Sequence, residues 1–272
     1  MYKLLFFVLV SVNFSFAQVT KVEYEFYKNM GIPSTENWML AFNESASYFY
    51  RTKDKQRSTN SNDNKSALSV EDLYQTNRQN KLNEGTVIKH NIQLKAHYFY
   101  HLDFNQNLLR FQGSVVEDLY MVNEELPKMN WILQDEYKDI EKYKCQKAIT
   151  NFRGRNYSAW FTYEIPVTTG PWKFNGLPGL ILQVNDDLGK VNIRAQLVTT
   201  YPTLNLPEEV SFIKPQGKDI TLREFVPLSD NEAEELIRRV RTKLGRSSGG
   251  STFKKASERH SLEKTYEWEE EK

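Results

Sequence analysis

This sequence has very little cysteine, few long apolar runs and almost no excess of charge of either sign. Its 272 residues include one cysteine, Cys145, so no disulfide can form within the chain. After the first seventeen residues, no apolar run approaches the roughly 20 residues that a membrane-spanning helix needs. Lys and Arg number 36 against 35 Asp and Glu. We therefore expect no membrane span in the mature chain and no nucleic-acid partner, since nucleic-acid binding needs clustered positive charge.

Familiar catalytic and metal-binding motifs are also missing. The sequence contains neither G-x-S-x-G nor H-E-x-x-H, and its four histidines are scattered. In a strand, His97 and His101 would lie about 13 Å apart, too far to share one metal ion. We expect Cys145 to be a small buried residue, with a reactive thiol as the less favoured alternative. The sequence thus predicts no catalytic residue, metal or cofactor, and it leaves enzymatic activity uncertain.

Residues 1–17 have the layout of a secretory signal peptide. A single early positive charge, Lys3, precedes an apolar run over residues 4–10, and the small residues Ser15 and Ala17 occupy positions −3 and −1. The run is too short for a transmembrane anchor. We therefore expect cleavage after Ala17 and an exported protein that is periplasmic, associated with the outer membrane or extracellular.

Most of the remaining chain alternates between apolar and polar residues with a period of two, which is typical of strands. Val22, Tyr24 and Phe26 alternate with charged residues, and short apolar stretches separated by turn residues follow. Aromatic residues make up 13% of the chain, which also favours strands. We expect residues 18–245 to form one β-rich α+β domain, whose antiparallel sheet is strongly curved or half-closed.

Three segments depart from the strand pattern. Residues 52–85 are polar and predict a mobile loop inserted into the domain. Ser229 and Glu232 have the spacing of a capping box, and they predict a helix that ends at Gly245 and packs on the sheet. Residues 246–272 are charged and poor in aliphatic side chains, so we expect a mobile tail.

The stretch PWKFNGLPGLIL, residues 171–182, places two prolines and two glycines inside an apolar run. Its aromatic residues alternate and can point into a core, its glycines permit a positive φ or a close backbone approach, and its Leu-Pro pair should be packed. We interpret the stretch as a structural corner that leads into a buried strand. A recognition loop is the alternative. The residues to which we assign this role are Trp172, Phe174, Gly176, Leu177, Pro178 and Gly179.

Two arginines are candidate binding residues. Arg153 and Arg155 flank Gly154 at the turn of a predicted hairpin. Two neighbouring guanidiniums can clamp an anion or a carboxylate, because each presents a rigid fork of donors. A solvated turn without a ligand is the other interpretation.

The segment from Tyr143 to Val184 resembles the signature region of the GLPGLI family of exported bacterial proteins. Residues 176–181 read GLPGLI, which is the motif for which the family is named. The family has no established biochemical function, so the resemblance implies export and a fold but no active site. The other residues that carry the resemblance are Cys145, Arg153, Arg155, Ala159, Trp160, Ile165, Pro166, Gly170, Pro171 and Trp172.

Two functional hypotheses follow. The favoured one is a non-catalytic envelope protein that binds an apolar small molecule or a partner protein, because a curved aromatic sheet could enclose an apolar pocket. The alternative is a hydrolase or peptide-processing enzyme with an unrecognised site, which would need polar groups that converge in one cleft.

Overall fold

A computed structural model of the protein describes residues 19–31, 33–52, 98–202, 216–244, 259 and 261–269. The predicted signal peptide, the predicted loop beyond Thr52, residues 246–258 of the predicted tail, and His97 lie outside these ranges. None of the helices in the described part of the chain combines the length and the apolar composition that a membrane crossing requires.

The described strands form a single twelve-stranded sheet. Its strand order is β12-β6-β5-β4-β3-β2-β1-β11-β10-β9-β8-β7. The strands are β1 (Val19–Asn29), β2 (Pro33–Phe42), β3 (Ala46–Arg51), β4 (Phe99–Asp103), β5 (Leu108–Val115), β6 (Asp118–Glu125), β7 (Ile132–Ile140), β8 (Tyr143–Phe152), β9 (Arg155–Thr162), β10 (Leu180–Asp186), β11 (Val191–Tyr201) and β12 (Lys218–Thr221).

Two antiparallel meanders make up the sheet. Strands β1 to β6 form one and β7 to β11 form the other, and the pairing of β1 with β11 joins them. Strand β12 adds parallel to β6, so the sheet is mixed, and it is open because β12 and β7 end it on opposite sides. The predicted β-rich, mostly antiparallel fold is confirmed, whereas the half-closed form is corrected to an open sheet.

Strand β1, which joins the two meanders, has its alternating apolar residues buried, as the sequence predicted. In β1, Val22, Tyr24 and Phe26 are at most 2% exposed, and the residues between them face outward. The Tyr24 hydroxyl donates a hydrogen bond of 2.6 Å to the backbone oxygen of Ile181. This bond ties the first strand to the strand that follows the GLPGLI motif.

The helical region consists of two helices, where the sequence predicted one. Helix α1 spans Leu222–Asp230 and α2 spans Glu232–Leu244. The side chains of Leu222 and Val226 in α1 are buried against β5, β6 and β12. A C-terminal helix packed on the sheet is thus present, but the packing begins seven residues before the predicted start at Ser229.

The capping box also differs from the predicted one. Thr221 caps α1: its hydroxyl accepts from the Glu224 N–H at 3.2 Å, and the Glu224 carboxylate accepts from the Thr221 N–H at 2.8 Å. Glu232, which the sequence paired with Ser229, instead accepts the N–H of Val116 at 2.8 Å. Val116 lies in the turn between β5 and β6, so Glu232 ties the start of α2 to the sheet.

The two meanders approach each other on one side of the sheet. Glu124 lies in β6 and Arg153 in the turn between β8 and β9, so eight strand spacings separate them in the sheet order. A flat sheet would place them about 40 Å apart. Their side chains are 3.0 Å apart. The sheet must therefore bend strongly so that β6 and the β8–β9 turn meet.

Candidate functional site

The segment of residues 163–179, which ends with the first four residues of the GLPGLI motif, connects β9 to β10 and fills the space between the two meanders. Trp172 is 2% exposed, and its ring meets Tyr100 of β4 and Phe152 of β8 edge-on, with centroids 6.4 and 6.0 Å apart. Phe174 is fully buried and packs edge-on against Tyr157 of β9 at 4.8 Å. The predicted packing of both aromatic residues into a core is what the structure shows.

A tight turn just before the GLPGLI motif sets the direction of the Trp172 and Phe174 side chains. The Phe174 N–H donates to the Pro171 oxygen at 3.1 Å, and Trp172 within the turn has a φ of +57°. For a bulky residue this left-handed conformation is strained by about 1–2 kcal/mol. Lys173 is the next residue in this turn, and its ammonium is directed towards β6.

The two glycines of the motif are required for different reasons. Gly176 has a φ of +89°, which L residues rarely adopt. Gly179 has no such φ, but a Cβ there would lie 2.1 Å from the Thr162 backbone oxygen. Leu177 is 1% exposed, as expected for the Leu-Pro pair, whereas Pro178 is exposed and so corrects that expectation.

Four buried charged residues, Glu124, Arg153, Lys173 and Glu263, lie together, and we call them the charged cluster. Arg153 Nη2 is 3.0 Å from Glu124, and Lys173 Nζ donates to the two oxygens of Glu263 at 3.0 and 3.1 Å. Arg153 also contacts Glu263, and Lys173 also contacts Glu124. Each of these two acids therefore touches both bases, and the formal charge of the four residues is zero. Arg153 Nε also pairs at 3.0 Å with the exposed carboxylate of Glu267, outside the cluster.

The four members are not held equally well. Glu263 accepts directed hydrogen bonds from both Arg153 and Lys173. The oxygens of Glu124 make close charge contacts with the same two bases, but neither contact has hydrogen-bond geometry. Glu124 is therefore held mainly by charge attraction. Of the two acids, Glu263 binds the cations Arg153 and Lys173 with better geometry.

Electrostatic effects of burial and neighbours oppose one another in this cluster. Burial alone would raise the pKa of Glu263, but Lys173 and Arg153 outweigh burial and hold the pKa below its ordinary value of 4.5. Burial alone would lower the pKa of Arg153, but Glu263 and Glu124 together raise this pKa above its ordinary value. Both residues are charged at neutral pH.

Glu263 belongs to a C-terminal segment, residues 261–266, that lies along the β8–β9 hairpin. The N–H groups of Lys264 and Thr265 donate to the Arg153 oxygen at 2.8 and 3.2 Å. The Tyr157 hydroxyl donates to the Leu262 oxygen at 2.9 Å. These contacts place the described part of the tail against the sheet, and the mobility expected for residues 246–272 stays a prediction.

The second candidate arginine, Arg155, anchors the same segment. Its Nη2 donates to the Ser261 oxygen at 2.9 Å, and its Nη1 pairs with Asp186 at 2.7 Å. Asp186 is fixed in turn by the N–H groups of Lys190 and Val191. The two guanidiniums share no carboxylate: Arg153 contacts glutamates of β6 and of the C-terminal segment, whereas Arg155 pairs with Asp186. All of these acids belong to this chain, and a clamp for an external anion stays a prediction.

Two other candidates do not contribute to this site. Cys145 is fully buried, and burial raises the pKa of its thiol to about 11, so it stays protonated at neutral pH. This state suits a core residue and disfavours a nucleophile. His101 stacks on Tyr48 with ring centroids 4.1 Å apart, in strands β4 and β3.

Sequence reasoning missed three members of the charged cluster: Glu124, Lys173 and Glu263. A lysine between Trp172 and Phe174 was the one available signal, because a charge amid buried aromatics needs partners. Glu124 and Glu263 lie in charged stretches that look like solvated surface, and nothing local distinguishes them.

The comparisons with known proteins bear on this same part of the chain. Residues 153–183 match a family model described as "Protein of unknown function (Porph_ging)". The match contains Arg153, Arg155, Lys173 and the GLPGLI motif, and it is consistent with the resemblance stated above over this small region. No curated protein matches the chain.

Several solved structures are distantly similar. Two crystal structures of PNGF-II share 14% and 13% identity, with TM-scores of 0.49 and 0.48. In both cases the match covers 83% of this chain, which spans about a third, 34%, of the PNGF-II chain. An uncharacterized conserved protein from Thermus thermophilus shares 8% identity with a TM-score of 0.35, over 75% of this chain and 90% of the other. These likenesses carry no argument about function, so the comparisons support a β-sheet-rich domain family of unknown function.

Proposed function

We propose that this chain is an exported envelope protein that binds a partner protein without catalysing a reaction on it. The binding site is a groove, formed by Arg153, Arg155, Tyr157 and Lys173, that holds an extended segment of the partner. Of the two ligand classes expected from the sequence, a polypeptide is favoured over an apolar small molecule.

The single observation that carries the proposal is the way in which the groove holds residues 261–266. The contacts go mainly to the backbone of that segment: Arg155 and Tyr157 donate to carbonyl oxygens, and the carbonyl of Arg153 accepts two N–H groups. Main-chain hydrogen bonds combined with a few anchoring side chains are a common mode of peptide binding. The groove thus has the chemistry of a polypeptide site.

An apolar small molecule is less well supported. The side of the sheet that the sequence expected to enclose a pocket is packed with Trp172, Phe174 and Leu177, which are each at most 2% exposed. These side chains contact strands of both meanders, so a ligand would have to displace them.

Site-specific photo-cross-linking in the native host tests the proposal. A photoreactive residue replaces Met30, which is partly buried with its sulfur 3.7 Å from Arg155 Nη2, and a control one replaces Leu188, which is 56% exposed in the β10–β11 turn. We expect one recurring protein adduct from position 30 and none from position 188.

The other outcomes contradict the proposal. Equal labelling from both positions, or no protein adduct from position 30, would refute a groove that binds a partner. If the adduct at position 30 contained a partner cut next to the bound segment, the peptide-processing alternative would replace non-catalytic binding.

A further inference from the structure

The C-terminal segment contacts the groove much as a bound peptide would. Its Glu263 enters the charged cluster, Leu262 packs against the main core, and Tyr266 is buried beside the residues under α1. Between them, Thr265 is exposed. The segment therefore has a buried carboxylate anchor and a buried aromatic anchor three residues apart, and the exposed Glu267 that follows it adds an ion pair with Arg153 at 3.0 Å.

The charge balance of the groove requires such a carboxylate. Without the C-terminal segment and the Glu267 that follows it, Arg153 and Lys173 would face Glu124 alone, which leaves one uncompensated positive charge where the two basic side chains are 6% and 1% exposed. Burying an unpaired charge is costly, so a vacated groove would favour any carboxylate that fits. The aromatic rings that surround these cations, such as Phe111 at 4.6 Å from Lys173, exclude water from the site.

The second anchor is also defined by chemistry. The guanidinium of Arg153 lies 5.1 Å from the Tyr266 ring centroid and 5.0 Å from that of Phe152, so it contacts two aromatic faces. Cation–π contacts of this kind favour an aromatic residue at the position of Tyr266. Arg153 thus links both anchors, since it binds the carboxylate of Glu263 with one edge.

We propose that the groove selects acidic polypeptide segments in which a carboxylate is followed three residues later by an aromatic residue, and that the chain's own C-terminal segment competes for it. This inference rests on the proposed function and specifies the partner. The C-terminal segment is then an internal competitor that a partner segment must displace. Its own affinity for the groove therefore lowers the apparent affinity of the partner.

A peptide-binding measurement on the full chain tests this inference. The probe is a fluorescently labelled peptide with the sequence of residues 259–269, RHSLEKTYEWE. We expect the Glu263→Gln protein to bind it at least about tenfold more tightly than the unmodified protein, because its own segment has lost the anchor. A probe with Gln in place of that Glu should bind the same variant at least about tenfold more weakly.

Controls separate this effect from a general loss of structure. Glu125 follows Glu124 in the chain, but its carboxylate is exposed and lies outside the cluster. The Glu125→Gln protein should therefore bind the peptide as the unmodified protein does. If Glu263→Gln does not give a cooperative thermal transition, Tyr266→Ala replaces it, since it loosens the segment without changing its charge. Equal binding of the Glu and Gln probes, or no gain over the unmodified protein, would overturn the inference.

The two proposals can fail separately. If cross-linking identifies a partner whose bound segment lacks the carboxylate, the proposed function stands and this inference is wrong. If the peptide binds as described but cross-linking finds no partner, the groove recognises acidic segments and the partner-binding function is wrong.

Discussion

The ammonium of Lys173 donates to both carboxylate oxygens of Glu263, although ninety residues separate the two in the chain. Lys173 lies within the GLPGLI region, between two buried aromatics, and Glu263 lies in the C-terminal segment. This pair therefore connects residues 163–179, which lie between the two meanders, to the C-terminal segment in the groove. The strength of the pair determines how stably the C-terminal segment is bound.

Replacing Glu263 by Gln should destabilise the protein by about 3–5 kcal/mol at neutral pH, because it leaves Arg153 and Lys173 with one buried acid, Glu124, since Glu267 is exposed. Chemical denaturation at pH 7 measures the loss. Glu125→Gln, which removes an exposed carboxylate, is the control and should change stability little. A Glu263→Gln protein as stable as the unmodified one would show that the cluster is solvated in solution.

The contribution of Glu263 to stability should depend on pH. Because its folded-state pKa lies below the ordinary value of 4.5, its contribution is fully present above that value and is lost as pH falls through the lower folded-state pKa. The difference in melting temperature between the unmodified protein and Glu263→Gln should thus be constant from pH 6 to 8, and shrink on acidification below about pH 4.5. A difference that grows on acidification would contradict the assignment.

Lys173 and Glu124 should be strongly coupled. Lys173→Met leaves two buried acids against Arg153 and should cost about 3–5 kcal/mol, the range for breaking a buried ion pair. The double change Lys173→Met with Glu124→Leu leaves the balanced pair of Arg153 and Glu263, and should cost less than Lys173→Met alone. A double-mutant cycle on unfolding free energies measures the coupling. Additive losses would show that the two residues act independently.

Trp172→Ala should cost about 3–5 kcal/mol, as for other buried aromatic truncations. Trp160→Ala is the matched control: this ring is half-buried and meets Lys138 at 4.1 Å, so about 1 kcal/mol is expected. Thermal and chemical denaturation compare the two. If Trp172→Ala left the melting midpoint unchanged and abolished partner binding, the motif would be a recognition loop and the structural interpretation would be wrong.

Gly179→Ala should destabilise strongly, because the added Cβ would collide with the Thr162 oxygen in the neighbouring strand. Gly189→Ala provides the comparison, since a Cβ there meets no atom within 4 Å and only its φ of +65° is unfavourable, for about 1 kcal/mol. Pro178→Ala should cost about 1 kcal/mol or less, because Pro178 is exposed and acts mainly on the unfolded chain. Melting temperatures in the order Gly179→Ala, Gly189→Ala, Pro178→Ala, from lowest to highest, are expected.

The sequence predicted the features that depend on local pattern. Alternation in β1 identified the buried face, and the composition of the motif identified Trp172 and Phe174 as core residues. Helix α1 was missed because Pro227 lies inside it, and a proline normally argues against a helix interior. The charged cluster was missed because its members come from four separate parts of the chain, and only the bend of the sheet brings them together.

The position of β1 at the centre of the sheet has a consequence for the order of folding. Its partner β11 ends at Tyr201, so the edge of β1 stays unpaired until almost two hundred residues have been synthesised. The first meander can form earlier by local pairing, but it would present Val22, Tyr24 and Phe26 along an open edge. Contacts of such high sequence separation slow folding, and exposed strand edges favour association with other chains. We therefore expect the closing of β11 onto β1 to limit the folding rate, and the interval before it to be when the chain most needs protection from aggregation.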